Sequence, residues 1–206
     1  MADVPLAWRL LPLIGVALLV AVPFGWRSWL QHRRHGTRGV FLFRSKERAQ
    51  TLRDGLLLLV LLLLVGQAVA AVAWPDALRP VVAASWLHGT GAVFMFGGLI
   101  FLVAAQLDLG ASWRIGIEEG AKPGLVEGGF YRFCRNPIFL ALLTVIAGYA
   151  ALLPTSLSLI LLAVQFVGIR LQIAAEEAYL LRSYGEAYRS YARRVGRLLP
   201  WVGRFR

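Results

Sequence analysis

The sequence predicts an all-α integral membrane protein of about five transmembrane helices, the last two paired as a hairpin, followed by a cytoplasmic amphipathic helix. Three observations predict it. Hydrophobic residues make up 58% of the 206 positions and the mean hydropathy is +0.65, above what a soluble domain carries. Apolar runs of crossing length recur five times, where a hydrocarbon core about 30 Å thick needs about 20 helical residues. Basic residues gather in alternate segments between those runs, as they do in loops facing anionic cytoplasmic lipid.

The first run covers residues 10–26. It lacks a basic segment before it and a small-residue cleavage site after it, so it is expected to stay as an anchor. The second covers 55–74 and the third 81–107, whose extra length implies tilt. The fourth starts at Pro137 and reaches 153; Pro154 then marks a tight turn, and 155–173 returns as the fifth. The segment 27–54 carries eight Lys and Arg, 108–136 carries four and the stretch from Arg170 onward eight, so that 20 of the 22 fall on one side and only Arg9 and Arg79 on the other. The N-terminus is therefore expected outside and the C-terminus in the cytoplasm; alanine, leucine and arginine usage has a bacterial look, pointing to an inner membrane.

With no internal repeat or linker, 1–206 reads as a single membrane domain, comprising three N-terminal spans over 1–107 with a basic cytoplasmic loop at 27–54, and a C-terminal region at 108–206. The net charge of +11 follows the loops, so nucleic acid is not an expected partner. Cys134 is the only cysteine, which excludes an intrachain disulfide and a cysteine-cluster metal site, and His32, His35 and His88 are too scattered to form a ligand set. No metal and no obligate protein partner is expected.

The unusual residues cluster in three cytoplasmic segments: DLGASWRIGIEEGAKPGLVEGG, FYRFCRNP and RLQIAAEEAYLLRSYGEAYRSYARRVGRLLP. In the second, Pro137 suits the first position of a helix and Asn136 the N-cap before it. A helix start beside Arg132 and Arg135 suits a carboxylate or phosphate, and Gly128 and Gly129 let the backbone approach a ligand. The alternative is that the arginines only anchor the span at lipid headgroups. Glu176 and Glu177 point about 100° apart on a helix, so one can face a ligand ammonium or ribose while the other finds solvent or a basic partner such as Arg170 or Arg182. Leu181, Tyr184, Tyr188, Tyr191 and Val195 form a stripe at helical spacing, more in keeping with packing or an interfacial belt than with a cofactor box. Gly89, Gly91, Gly97 and Gly98 suit close helix packing in the third span.

From about residue 108 to 200 these elements, in their order and spacing, resemble the membrane methyltransferases of the isoprenylcysteine carboxyl methyltransferase and phospholipid methyltransferase group. LGASW, LVEGGFYRFCRNP and EEAYLLRSYGEAYRSYARRVGRLLP carry the likeness; the first two spans carry none. The resemblance implies that 108–206 is a catalytic region binding S-adenosyl-L-methionine at the cytosolic side, with a lipid or lipidated small-molecule acceptor entering from the bilayer. It implies cofactor contacts from Leu125, Val126, Gly129, Tyr131, Asn136, Pro137, Ile138, Phe139 and Glu176, catalytic roles for Arg135, Glu177 and Arg194, and acceptor contacts from Arg170 and Gln172. Asn136 stands where the family pattern has histidine, Gln172 where carboxyl-methylating relatives can place arginine, and Gly196 where proline is usual. Carboxyl O-methylation of a prenylcysteine-like or other lipid-like acceptor is slightly favoured over phospholipid N-methylation, with a sterol-reductase-like enzyme or a non-enzymatic membrane component behind them.

Overall fold

The computed structural model describes residues 3–45, 47–116 and 124–205, so Lys46, Lys122 and part of the first motif segment lie outside the described residues. Helix α1 (Leu6–Val20) runs through a π-helical turn (Ala21–Arg27) into α2 (Ser28–His35) without a break. Then follow α3 (Arg48–Ala73), α4 (Trp86–Asp108), α5 (Pro137–Leu152), α6 (Ser156–Tyr184) and α7 (Glu186–Arg194). Four of these helical segments are long and apolar enough to cross a membrane, and α5 is a shorter apolar helix of 16 residues, about 24 Å. The fold is the multi-pass helical membrane architecture that the sequence predicts.

Several boundaries move. The first helix extends nine residues past the expected end at 26, because nothing stops it before Gly36, whose φ of +74° closes it in the left-handed region. Pro23 lacks the N–H that a regular turn needs, and the helix absorbs it by widening into the π turn. The basic loop expected at 27–54 thus shrinks to residues 36–47 between two helices. The third helix begins at Trp86 instead of 81, since Val81 N–H is already held by the carbonyl of Pro154. Helix α6 continues from the expected end at 173 to Tyr184, and so carries Glu176 and Glu177 within it. The aromatic stripe spans two helices: Gly185, at φ +55°, breaks the chain between Tyr184 and Tyr188.

Packing follows from small residues and a few buried polar latches. Helix α4 runs antiparallel to α5 at backbone contact: a Cβ built on Gly98 would lie 2.9 Å from the Val145 N, and one on Gly148 would lie 2.3 Å from the Met95 N. Gly91 and Gly98 thus serve close packing as expected, whereas Gly89 and Gly97 face open space. Val16, Leu64, Ala68, Met95, Leu102, Val145 and Tyr149 form the core, and Leu62, Val93, Ile100 and Ile160 project outward as a lipid-facing surface does. At the far end Gln67 of α3 donates to Thr155 (2.5 Å) and Ser158 (3.0 Å), and Tyr149 donates to the Leu64 carbonyl (2.8 Å), which ties α3 to the turn between α5 and α6. At the opposite end Arg135, just before α5, meets Glu177 of α6, so α5 and α6 form the expected hairpin.

Candidate functional site

The site is organised by Arg135. Its side chain is 1% exposed, and all five of its N–H groups are matched by acceptors. Nε and Nη2 both reach Glu177 Oε1, at 3.0 and 2.8 Å; the others go to the carbonyls of Ala192, Val195 and Gly203. The guanidinium also lies 5.1 Å from the centre of the Phe205 ring. Glu177 Oε2 takes Arg197 at 2.7 Å, so the carboxylate is held from both sides. Arg135 N–H donates to the Gly196 carbonyl (2.9 Å) and Asn136 Nδ2 to that of Arg197 (3.0 Å). The segment after α7 is thereby tied to the start of α5.

This differs from an anion-binding helix start in two respects. The Arg135 donors are consumed inside the protein, and Asn136 occupies the N-cap position without capping through its side chain, because its amide faces Arg197 instead. Pro137 does take the first helical position.

Beside this clamp lies a cavity of about 320 Å³. One part is polar and is bordered by Tyr131, Asn136, Gln172, Glu176, Tyr184 and Tyr188, with Leu125, Val126, Ile138 and Phe139 as apolar wall. The other part is apolar and runs between α1, α3, α4 and α5 past Leu19, Val60, Leu64, Leu102 and Ile146. Glu176 Oε1 accepts from Gln172 Nε2 (2.9 Å). Tyr191 donates to the Tyr131 carbonyl (2.6 Å), and the Tyr184 hydroxyl accepts from the Gly124 N–H (3.1 Å), so the tyrosine stripe pins the loops that border the cavity. Burial, and after it the negative charge of Glu176, holds the Tyr131 phenol well above its ordinary pKa, and burial pushes up the Cys134 thiol. Both stay neutral near pH 7, which makes neither a base or nucleophile there.

Of the residues expected at the site, Leu125, Val126, Tyr131, Arg135, Asn136, Ile138, Phe139, Gln172 and Glu176 border this one cavity. Glu177 does not; it is buried behind it in the clamp. Pro137 is buried and Gly129 supports the wall from outside, where its φ of +56° lets the Phe130 N–H reach Asp108 Oδ2 at 2.7 Å. Arg194 is exposed and bridges to Glu127 (2.8 Å), and Arg170 is exposed on α6; neither borders the cavity. Sequence reading missed Trp113, Arg114, Gln165 and Tyr179 of the C-terminal half, and several residues of the N-terminal half. Arg53 and Asp54 of α3 and Gln106 of α4 border the cavity, and the Gln106 side-chain oxygen is buried without a hydrogen-bond partner among the described residues. A glutamine inside an apolar run, and an arginine and an acid at the edge of one, were the available signal.

Residues 86–187 match the family model described as phospholipid methyltransferase. Methanethiol S-methyltransferase of Pseudomonas sp. is 30% identical over 169 residues, covering 78% of this chain and 62% of that protein. Methanethiol S-methyltransferase 1 of Bradyrhizobium diazoefficiens is 36% identical over 84 residues, covering 41% of this chain and 29% of that protein. The chain therefore spans less than two thirds of the length of either relative. The family match takes in α4, α5 and α6 with Arg135, Glu176 and Glu177, and leaves Arg53 and Arg194 outside.

Proposed function

We propose, from the match of residues 86–187 to the phospholipid methyltransferase family, that the chain transfers a methyl group from S-adenosylmethionine to an apolar, lipid-like acceptor at the cytosolic face of a membrane. The observation that carries this reading is the composite cavity, polar beside Glu176 and Asn136 and apolar between the helices of the bundle.

The residues present fit the cofactor. A carboxylate with one oxygen already oriented by Gln172 suits ribose hydroxyls or the methionyl ammonium. Leu125, Val126, Ile138 and Phe139 offer an apolar wall for the adenine, and the unpaired Gln106 oxygen offers an acceptor. When bound, the cofactor supplies an activated methyl on a positive sulfur. What the chain contributes is alignment and exclusion of water: Tyr131, held by Tyr191, and Asn136, tied to Arg197, at the polar end, and the apolar arm receiving the acceptor. Fixing two reactants near contact is worth roughly 7 to 11 kcal/mol, so an acceptor that reacts as an anion needs no base. A protonated amine does, and Glu176 is then the candidate.

A second reading is favoured by the two relatives named as methanethiol S-methyltransferases. A small thiol would need only the polar part of the cavity. The orientation proposed, with the site cytoplasmic and the N-terminus outside, rests on the 20 of 22 basic residues on one side. Transfer of labelled methyl groups from S-adenosylmethionine to membrane extract and to methanethiol, side by side, tests the reading. Label in an extractable lipid supports the first acceptor and label in dimethyl sulfide the second. Purified protein that does not bind S-adenosylmethionine would overturn both.

A further inference from the structure

Besides Arg114 and Arg135 of the family-matched region, the cavity is bordered by a cation from outside that region, Arg53 of α3. Arg53 sits in the second turn of α3 and donates from Nε to Gln172 Oε1 (3.0 Å) and from Nη2 to Gln50 Oε1 (2.7 Å). Both acceptors are neutral amides, and among the described residues Arg53 has no carboxylate ion pair and no hydrogen bond from Nη1. The neighbouring acid turns to other donors: Asp54 accepts from the Phe43 N–H (2.7 Å) and from Gln50 Nε2 (2.8 Å). The Gln172 amide bridges Arg53 to Glu176, accepting from the first and donating to the second. The result is a full positive charge bordering the cavity where α3 faces α6, held in place by two glutamines and with donors to spare. Directly along α3 from it the cavity wall turns apolar, at Leu56, Leu57 and Val60.

We propose that Arg53 is the acceptor-recognition residue and that the acceptor is an apolar molecule whose reacting group is an anion, a carboxylate or a thiolate, docked on the Arg53 guanidinium with its tail in the apolar arm. This deepens the methyl-transfer reading and rests on it. A guanidinium pairs such a group through charge-assisted hydrogen bonds and repels a protonated amine, so the same residue selects against N-methylation. It also favours a thiol in its ionised, nucleophilic form. In the transfer the lone pair of the anion forms the bond to the methyl carbon, the carbon–sulfur bond of the sulfonium breaks with its electron pair left on sulfur, and no proton changes place. Arg170 does not supply this charge, because it lies on an exposed face of α6 away from the cavity.

The test uses the full chain in phospholipid vesicles with labelled S-adenosylmethionine and three acceptors of one tail length: dodecanoate, dodecanethiol and dodecylamine. Wild type, Arg53→Gln and Arg53→Lys are compared for KM, kcat, thermal stability and S-adenosylmethionine affinity. Wild type should methylate dodecanoate or dodecanethiol, the pair telling carboxylate from thiolate, and should spare dodecylamine. Arg53→Gln should raise the acceptor KM about tenfold or more with kcat and cofactor affinity little changed, and Arg53→Lys should recover most of the loss. Unchanged KM in Arg53→Gln, a loss that Lys does not rescue, transfer to the amine alone, or normal cofactor binding with no transfer to either anionic acceptor would each overturn this proposal while leaving methyl transfer standing. Failure of wild type to bind S-adenosylmethionine removes both.

Discussion

Arg135 and Glu177 share one carboxylate oxygen between two guanidinium nitrogens, at 3.0 and 2.8 Å, with side chains 1% and 6% exposed. The pair joins the residue before α5 to the late part of α6, and the remaining Arg135 donors hold three carbonyls at or beyond the end of α7. Removing one partner of a buried pair leaves an uncompensated charge, at about 3 to 5 kcal/mol. Arg135→Ala should therefore lower the unfolding temperature in detergent markedly and expose the segment after α7 to trypsin, with loss of activity following from loss of structure. The catalytic role that the resemblance implies for Arg135 would instead give a variant that folds but misaligns its donor, and native stability and proteolysis in Arg135→Ala would support that role.

Glu176 should behave differently from its neighbour. It borders the cavity with one oxygen taken by Gln172, whereas Glu177 is enclosed by Arg135 and Arg197. Glu176→Gln keeps the shape but removes the charge, and should weaken S-adenosylmethionine binding about tenfold at unchanged thermal stability. Glu177→Gln should lose stability first. Calorimetric titration and thermal unfolding of the two variants separate these effects, and equal cofactor affinity with equal stability would remove Glu176 from the site.

The span order, the α5–α6 hairpin and the C-terminal half of the site were legible in the sequence because each has a local signature: apolar length, Pro137 after Asn136, and acids against a basic face. What was not legible depends on tertiary partners. Nothing local tells that the Arg135 donors end on carbonyls some 57 to 68 positions away, or that Arg53 meets Gln172 across 119 positions. The stripe through Tyr184, Tyr188 and Tyr191 was visible as a helical period, but its break at Gly185 and the tyrosines' place beside the cavity were not, since glycine inside an amphipathic pattern is compatible with either outcome.

The α4–α5 contact gives a stability prediction with an internal control. A methyl group on Gly148 would lie 2.3 Å from the Met95 N, while one on Gly97 would meet nothing within 4 Å. Gly148→Ala should destabilise by about 1 to 3 kcal/mol, as overpacking does, and Gly97→Ala should not. Thermal unfolding of the two in the same detergent decides it; indistinguishable curves would mean that the helices do not approach this closely.

Orientation can be checked with a single reactive site. Cys134 is 4% exposed and should react slowly, but it is best replaced before cysteine is introduced near Arg33 or Ser190. Both positions should be shielded from an impermeant thiol reagent in intact cells and react after permeabilisation. Ready labelling at both from outside would invert the topology and place the cavity on the wrong side for a cytosolic cofactor.

The last prediction concerns the position where the resemblance expects histidine. Asn136 is 8% exposed, and its amide donates to the Arg197 carbonyl at 3.0 Å, so its structural task is to present one N–H to the segment after α7. A neutral imidazole can present the same donor, whereas leucine fills a similar space and leaves that carbonyl without its partner. Asn136→His should retain methyl transfer and stability, and Asn136→Leu should cost about 1 to 3 kcal/mol through the unpaired acceptor. Activity and unfolding temperature for the two variants, at matched amounts of monodisperse protein, give the answer. If leucine is tolerated as well as histidine, the contact to Arg197 is dispensable and the tie between α5 and the C-terminal segment rests on Arg135 alone.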